Sequence, residues 1–471
     1  MNTEGRTIRL PLNRPEYVTV PEAFISALAW KLFDAPDLLE TEGKKRVGLY
    51  FRGSTPKGKN VEFRSTSPEG EQLSELAAAL SHAGVKAEES GSELARAVLN
   101  SVLGIRVERS DIQPASPITP ALALLQNPRG LLRKENPPDI ADILESMYSF
   151  GLPDAKPSLG VAERWRCAAE RRMTVDSLLS SLDLAIDDSI VRRVELKREA
   201  PNGTAHFQGL FCGTPFEWFT TSWDRLTSDA WVEALPARVW VDWATTVLRL
   251  GFGAGFLWES SWYLAVAREV VRTEPIRTWV EVQSTIGEVI PWASSRAGTA
   301  ARDIAPKLIR RAYQSEIVRH SFDVWNKTQE NEDPSFEATI QRMREDKGLR
   351  EELLGALTSQ RRVNSGTNLW EAIKYALMTR DASGRNPDYY GLLKSRGRFL
   401  TVAPGTEWVA VVASLACGVP DGVTDVGHVL SSLRTLGMRP ELRDLISLLE
   451  RAGMARGSAD ADSGVIVKSA F

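Results

Sequence analysis

PARVWVDWATTVLRLGFGAGFLWESSWYLAVAREVV, residues 236–271, holds the longest strongly apolar run in the chain. Asp242, Arg249, Glu259 and Arg268 interrupt it, whereas a membrane-spanning helix needs about 20 nearly uncharged residues. The run therefore reads as buried helix inside a soluble protein. Pro236 suits a helix first turn, and the first helix is expected to end at Arg249. The glycines of GFGAGF then read as a break, with a second helix from Leu257 to Val271. The pair would form an αα-hairpin within a helical bundle. Trp240 and Trp243 lie three apart and Trp258 and Trp262 four apart, so each pair lines one helix face.

Nine of the 14 tryptophans fall between Trp218 and Trp292, against 8 Tyr and 4 His in the whole chain. Dense Trp builds either a core or an aromatic surface for a partner. Packing is the main reading, with Trp218 and Trp223, in the looplike FEWFTTSWDR, as candidates for such a surface. The remaining composition is that of an ordinary globular protein: 471 residues, 43% apolar, 25% charged. With 58 basic and 61 acidic residues the net charge is −3, which excludes a uniformly polycationic nucleic-acid binder but leaves room for local patches. Cys167, Cys212 and Cys417 are odd in number and far apart, which suits a reducing, cytoplasmic setting. No membrane association is expected.

The fold class expected is mainly α and multidomain. Residues 1–112 read as an α/β domain and 113–157 as a proline-rich linker. A Trp-rich helical domain over 158–330 and a helical connector over 331–405 follow, and 406–471 form a last domain. In the first domain Val47, Leu49 and Phe51, then Val61 and Phe63, alternate with polar residues around a Gly53–Gly58 turn, a β-hairpin signature. Lys44, Lys45, Arg46, Arg52, Lys57, Lys59 and Arg64 face a single acid, Glu62, over this segment. Interleaved with Tyr50, Phe51 and Phe63, they could track a phosphate backbone, or blunt an exposed sheet edge. Two further basic concentrations run from Arg296 to Arg319 and from Arg380 to Arg398. A single helix is expected from Phe336 to Leu357.

In the last domain Trp408–Leu415 reads as a strand and Asp425 as a helix cap. A helix to Leu436 follows, then the turn Gly437-Met438-Arg439-Pro440, a second helix ELRDLISLLERAG, and strand, turn, strand through MAR, GSADADSG and VIVKSAF. The order of elements from Thr424 to Phe471 resembles the winged-helix family. That resemblance implies a recognition helix carrying Arg443 and Arg451, which in DNA-binding members enters the major groove. Glu441, Asp444 and Glu450 share the helix, however, and six basic residues meet six acidic ones over Thr424–Phe471. DNA and protein partners both stay open.

No catalytic constellation is complete. His82, His206, His320 and His428 lack metal-ligand spacing, the glycines of LGFGAGF lack a dinucleotide-binding register, and no phosphate-binding or nucleophile-elbow motif occurs. No metal or cofactor is expected. Asp188, Glu195 and Lys197, in AIDDSIVRRVELK with Val191–Leu196 read as a strand, look like the acid pair and Lys of restriction-endonuclease-like nucleases. In that family the acids hold Mg²⁺ and the Lys orients water. A long chain without a complete catalytic motif that ends in a winged helix resembles uncharacterised subunits of bacterial multi-gene anti-phage defence systems, methylation-associated or restriction-like. The function expected is a non-catalytic nucleic-acid-binding or scaffolding subunit of a larger complex. The alternatives are a protein–protein adaptor that binds no DNA, and the Mg-dependent nuclease.

Overall fold

The computed structural model describes residues 8–15, 21–34, 46–49, 63–66, 70–82, 84, 91–102, 114–125, 139–153, 159–196, 209–329, 335–359, 367–380, 388–456 and 464–471. The chain is mainly helical, with a few short strands. Its centre is one unbroken helix, Ala237–Val271, of 35 residues and thus about 52 Å. GFGAGF does not end it. A Cβ on Gly251 would lie 2.6 Å from the Phe219 ring, and one on Gly253 2.6 Å from Leu377. On Gly255 it would lie 3.0 Å from the Met147 sulfur. The glycines are therefore close-approach points for three neighbouring helices, Pro215–Leu226, Asn368–Leu377 and Ile140–Phe150. Helices Ala305–Lys327 and Lys347–Thr358 complete the jacket. Of the 35 residues 28 are buried, so the helix is covered on all sides rather than along one stripe. No described helix is long and apolar enough to cross a membrane.

Burial on that scale requires partners for the charges inside. Arg249 donates to the carbonyls of Ala376 and Met378 at 2.6 and 2.8 Å and pairs with Asp388 at 2.8 Å. Glu259 is fully buried and takes Arg14, from the N-terminal strap, at 2.6 Å. Glu269 receives Arg272, Arg277 and Arg344 at 3.0, 2.8 and 3.2 Å. Burial alone would raise the Glu269 carboxyl, but these donors and the Arg277 N–H hold it below its ordinary value. Asp242 shows the opposite balance, since burial pushes its carboxyl up to about 6 against the pull of Arg238.

Twelve of the 14 tryptophans are buried, and Trp30 and Trp292 are half-buried. Trp218 and Trp223 sit on the helix Pro215–Leu226, not in a loop, and both are buried, which removes them as a partner surface. Their indole N–H groups, with those of Trp231 and Trp262, donate to Ser432, Val161, Gly418 and Ile8 and so tie distant segments together. Trp258 and Trp262 stack at 6.0 Å.

Other expectations change as well. Arg46–Leu49 and Phe63–Thr66 pair in parallel, with Arg46 opposite Phe63, so they are not the arms of a hairpin. Trp408–Leu415 lies in the helix Thr406–Cys417, and its unbroken apolar run reflects burial rather than extension. The helix expected over 336–357 is two, Phe336–Glu345 and Lys347–Thr358, because the Asp346 side chain caps the second by accepting from Leu349 N–H at 3.0 Å. The C-terminal residues form the helices Val426–Thr435 and Leu442–Arg451 and a three-stranded antiparallel sheet. In it Ile466–Lys468 lies between Val423–Asp425 and Ala455–Arg456.

Two stability measurements test this packing. Gly251→Leu should lower the unfolding free energy, read from chemical denaturation, by about 1–3 kcal/mol through overpacking against Phe219. Gly355→Ala, exposed on a helix with open space around it, should raise stability by about 0.5–1 kcal/mol; equal effects would contradict the close approach. Because the Asp242 carboxyl is raised in the folded state, charging it opposes folding. Its penalty is complete above about pH 6 and disappears as pH falls toward its ordinary value of 3.8. Asp242→Asn should therefore stabilise by about 1–2 kcal/mol at pH 7, discounted for its partial exposure, and by nothing at about pH 4. Chemical denaturation at the two pH values reads this directly.

Candidate functional site

The helix Leu442–Arg451 begins just after Pro440 and buries Leu445, Leu448 and Leu449. Asp444, Ser447, Leu448 and Arg451 stand at i, i+3, i+4 and i+7, so they share one face. That face forms one wall of a cleft of about 430 Å³. The opposite wall is the hairpin of Leu393–Arg396 and Phe399–Val402, paired so that Arg396 faces Phe399 and Lys394 faces Thr401. Gly397, at φ 62°, starts its two-residue turn, which needs a left-handed residue there. Lys394 and Arg396, two apart on a strand, leave the same side of the sheet. The loop from Trp292 to Arg302 and the segment Val402–Gly405 close the ends.

The walls are fixed to the helical body. Leu392 N–H donates to Leu377 O at 2.9 Å and Thr379 N–H to Leu393 O at 2.7 Å. Ile304 N–H reaches Leu400 O at 2.9 Å, and Asp303 accepts from Leu400 N–H at 3.0 Å. On the other side the Asp444 carboxylate accepts from Ser295 N–H at 2.7 Å and from its hydroxyl at 2.5 Å. The Ser294 hydroxyl donates to Glu441 at 2.9 Å. Trp292, half-buried, sets its ring edge-on to Trp408 at 6.1 Å between centroids.

Four cations line this cleft: Arg302, Lys394, Arg396 and Arg451. Among the described residues none of them has a carboxylate within ion-pair distance. The single acid in the lining, Asp444, is spent on Ser295. Arg302 donates to Ser295 O at 3.3 Å, and its buried Nε finds no partner among the described residues. Four like charges held about one cavity by rigid elements attract anions strongly, and a polyanion most of all. The cleft draws on all three distant segments that hold these residues, so no local run of sequence marks it. Of the residues singled out from sequence, Arg451 lies in its lining, as do Arg302, Lys394 and Arg396 of the two further basic concentrations, while Arg443 is exposed on the same helix outside it.

Arg46 and Arg64 fall on the two parallel strands, and Lys44, Lys45, Arg52, Lys57 and Lys59 lie outside the described residues. In the other concentrations Arg311 turns inward to Val289 O at 2.7 Å, and Arg319 pairs with Asp323 at 3.0 Å. Buried Arg380 donates to Tyr375 O at 2.7 Å, while Arg398 lies over the Phe399 ring at 4.9 Å.

Asp188 is exposed on a π-helical turn, Asp187–Val191, and Glu195 is exposed on the two-residue strand Val194–Glu195. The strand expected from Val191 is thus shorter, and Asp188 precedes it on a different element; Lys197 lies outside the described residues. Nearby, Asp183 accepts from Ala121 N–H at 2.8 Å and pairs with Arg193 at 2.7 Å, and burial raises the Asp187 carboxyl. Among the described residues no group of three or more His, Cys, Asp or Glu is arranged to hold a metal ion. A scan against protein-family models finds no match to this chain, and a search of curated proteins finds none either.

Proposed function

We propose that the protein is a nucleic-acid-binding subunit of a larger assembly, and that it binds through the cationic cleft. The observation that carries this reading is the set of four cations on one cavity, without a carboxylate partner among the described residues, in a chain whose net charge is −3. A charge excess concentrated at one place and absent from the average marks a ligand of opposite sign. The C-terminal order supports the winged-helix reading. Helix, strand, helix, helix, strand, strand occur in sequence, with the last strand at the centre of the sheet. The scaffolding part of the reading is favoured by Val175, at the end of the helix Val161–Val175, and Leu178 and Leu184, on the next helix Ser177–Ile186, large apolar side chains 55%, 65% and 55% exposed. Bacterial anti-phage complexes, in which such subunits act beside catalytic ones, are the setting proposed.

The test is fluorescence anisotropy of labelled DNA against salt. Four phosphate contacts give a slope of log affinity on log salt of about −3 to −4. Lys394→Glu with Arg396→Glu should weaken binding at least about tenfold while leaving the melting temperature unchanged, since both side chains are exposed. No binding at about 50 mM salt, where this electrostatic contribution is strong, would overturn the proposal.

A further inference from the structure

We infer that the cleft holds an unpaired nucleotide of a single-stranded segment, so that the ligand is single-stranded nucleic acid rather than a duplex read in its major groove. This rests on the nucleic-acid-binding reading above and narrows it.

The first support is steric. An α-helix with its side chains is about 10–12 Å across, and the major groove is about 12 Å wide, so a recognition helix must enter the groove alone. Leu442–Arg451 is not alone. The 294–295 loop is bonded along its first turn through Ser294 to Glu441 and Ser295 to Asp444. The hairpin bearing Lys394 and Arg396 stands across the cleft from the same face. These elements would collide with the groove walls. The start of the helix also carries two acids, Glu441 and Asp444, which would repel phosphates brought to it.

The second support is chemical. A cavity of about 430 Å³ lies in the range of pockets for single small ligands, roughly 300–1,000 Å³. It admits one extruded nucleotide and no base-paired ligand. Its lining joins cations for a phosphate backbone to one aromatic ring, Trp292, held in place by Trp408. Stacking on an aromatic beside cations is how single strands are bound without sequence readout, because every base offers a π-face. The one carboxylate that could read a base edge, Asp444, is already occupied by Ser295. The inferred binding is therefore tolerant of sequence and selective for strandedness.

The experiment uses the full chain and three fluorescein-labelled ligands of one length. These are a single strand, its duplex, and a single strand of abasic residues that keeps every phosphate. The single strand should bind at least tenfold tighter than the duplex. The abasic strand should bind at least about fivefold more weakly than the ordinary one. Trp292→Leu should abolish the difference between ordinary and abasic strands, while Trp292→Phe preserves it. Should Trp292→Leu fail to fold, Arg451→Glu replaces it and should weaken both strands alike, and the ordinary-to-abasic ratio of the unaltered protein still decides the stacking. Duplex bound as tightly as single strand, or abasic strand bound as tightly as ordinary strand, would overturn this inference and leave the nucleic-acid reading standing. Failure of all three ligands to bind would remove that reading itself.

Discussion

A helix of 35 residues with 28 buried must find packing surface on every side and must carry its ionic groups inside with their counter-charges. Leaving a buried ion unpaired costs about 3–5 kcal/mol when one partner is lost, a large share of an ordinary domain's stability. Arg249, Glu259 and Glu269 therefore act as addresses. Glu259 is met by Arg14 from near the N-terminus, Arg249 by Asp388, and Glu269 by Arg344 and its own C-terminal neighbours. Segments hundreds of residues apart are thereby fixed to one axis.

The same logic extends outward to the cleft. Arg249 ends the helix Asn368–Leu377 by binding its last carbonyls, and Leu377 O in turn receives Leu392, the first residue before the hairpin. The C-terminal helices are held from the other side. Arg225 donates to Leu415 O at 2.5 Å, Trp231 to Gly418 O at 3.0 Å and Trp218 to Ser432 at 3.2 Å. Both walls of the cleft thus hang from the central helix and its nearest neighbour. Cations placed on such rigid supports keep their spacing when no ligand is present, and that preorganisation is what makes a polyanion site effective.

The C-terminal helix expected from a cap at Asp425 was legible in the sequence and is found as Val426–Thr435, because a half-buried helix leaves a 3.6-residue pattern. What escaped was decided by contacts between segments. A glycine costs a helix about 1 kcal/mol, so GFGAGF reads locally as a break. Only the approach of Phe219, Leu377 and Met147 turns the missing Cβ atoms into packing surface. Trp408–Leu415 is buried on all sides and so lost the periodicity that separates helix from strand. Alternation located two strands near Lys44–Arg64 but carries no information about their direction. Arg302, Lys394 and Arg451 belong to three separate segments, and each alone looks like one more charge on a solvated face. Arg296–Arg319 indeed mixes all outcomes, with Arg302 in the cleft, Arg311 turned inward and Arg319 ion-paired.

Charge pairing separates structure from function in this molecule. Arg172 bonds the carbonyls of Leu235 and Val232, and burial lowers its guanidinium to about 10. Asp183 takes Arg193, Glu259 takes Arg14, and Glu269 takes three arginines. These groups were brought inside with partners already supplied by the chain, and their role is to join segments. At the cleft the pattern reverses. Asp444, the acid best placed to neutralise Arg451 and Arg302, is turned to a serine, and four cations are left facing one another across about 430 Å³. The chain pairs its charges in the core, yet among the described residues four of one sign around this cavity have no carboxylate partner, and an anionic ligand there would supply the missing counter-charge.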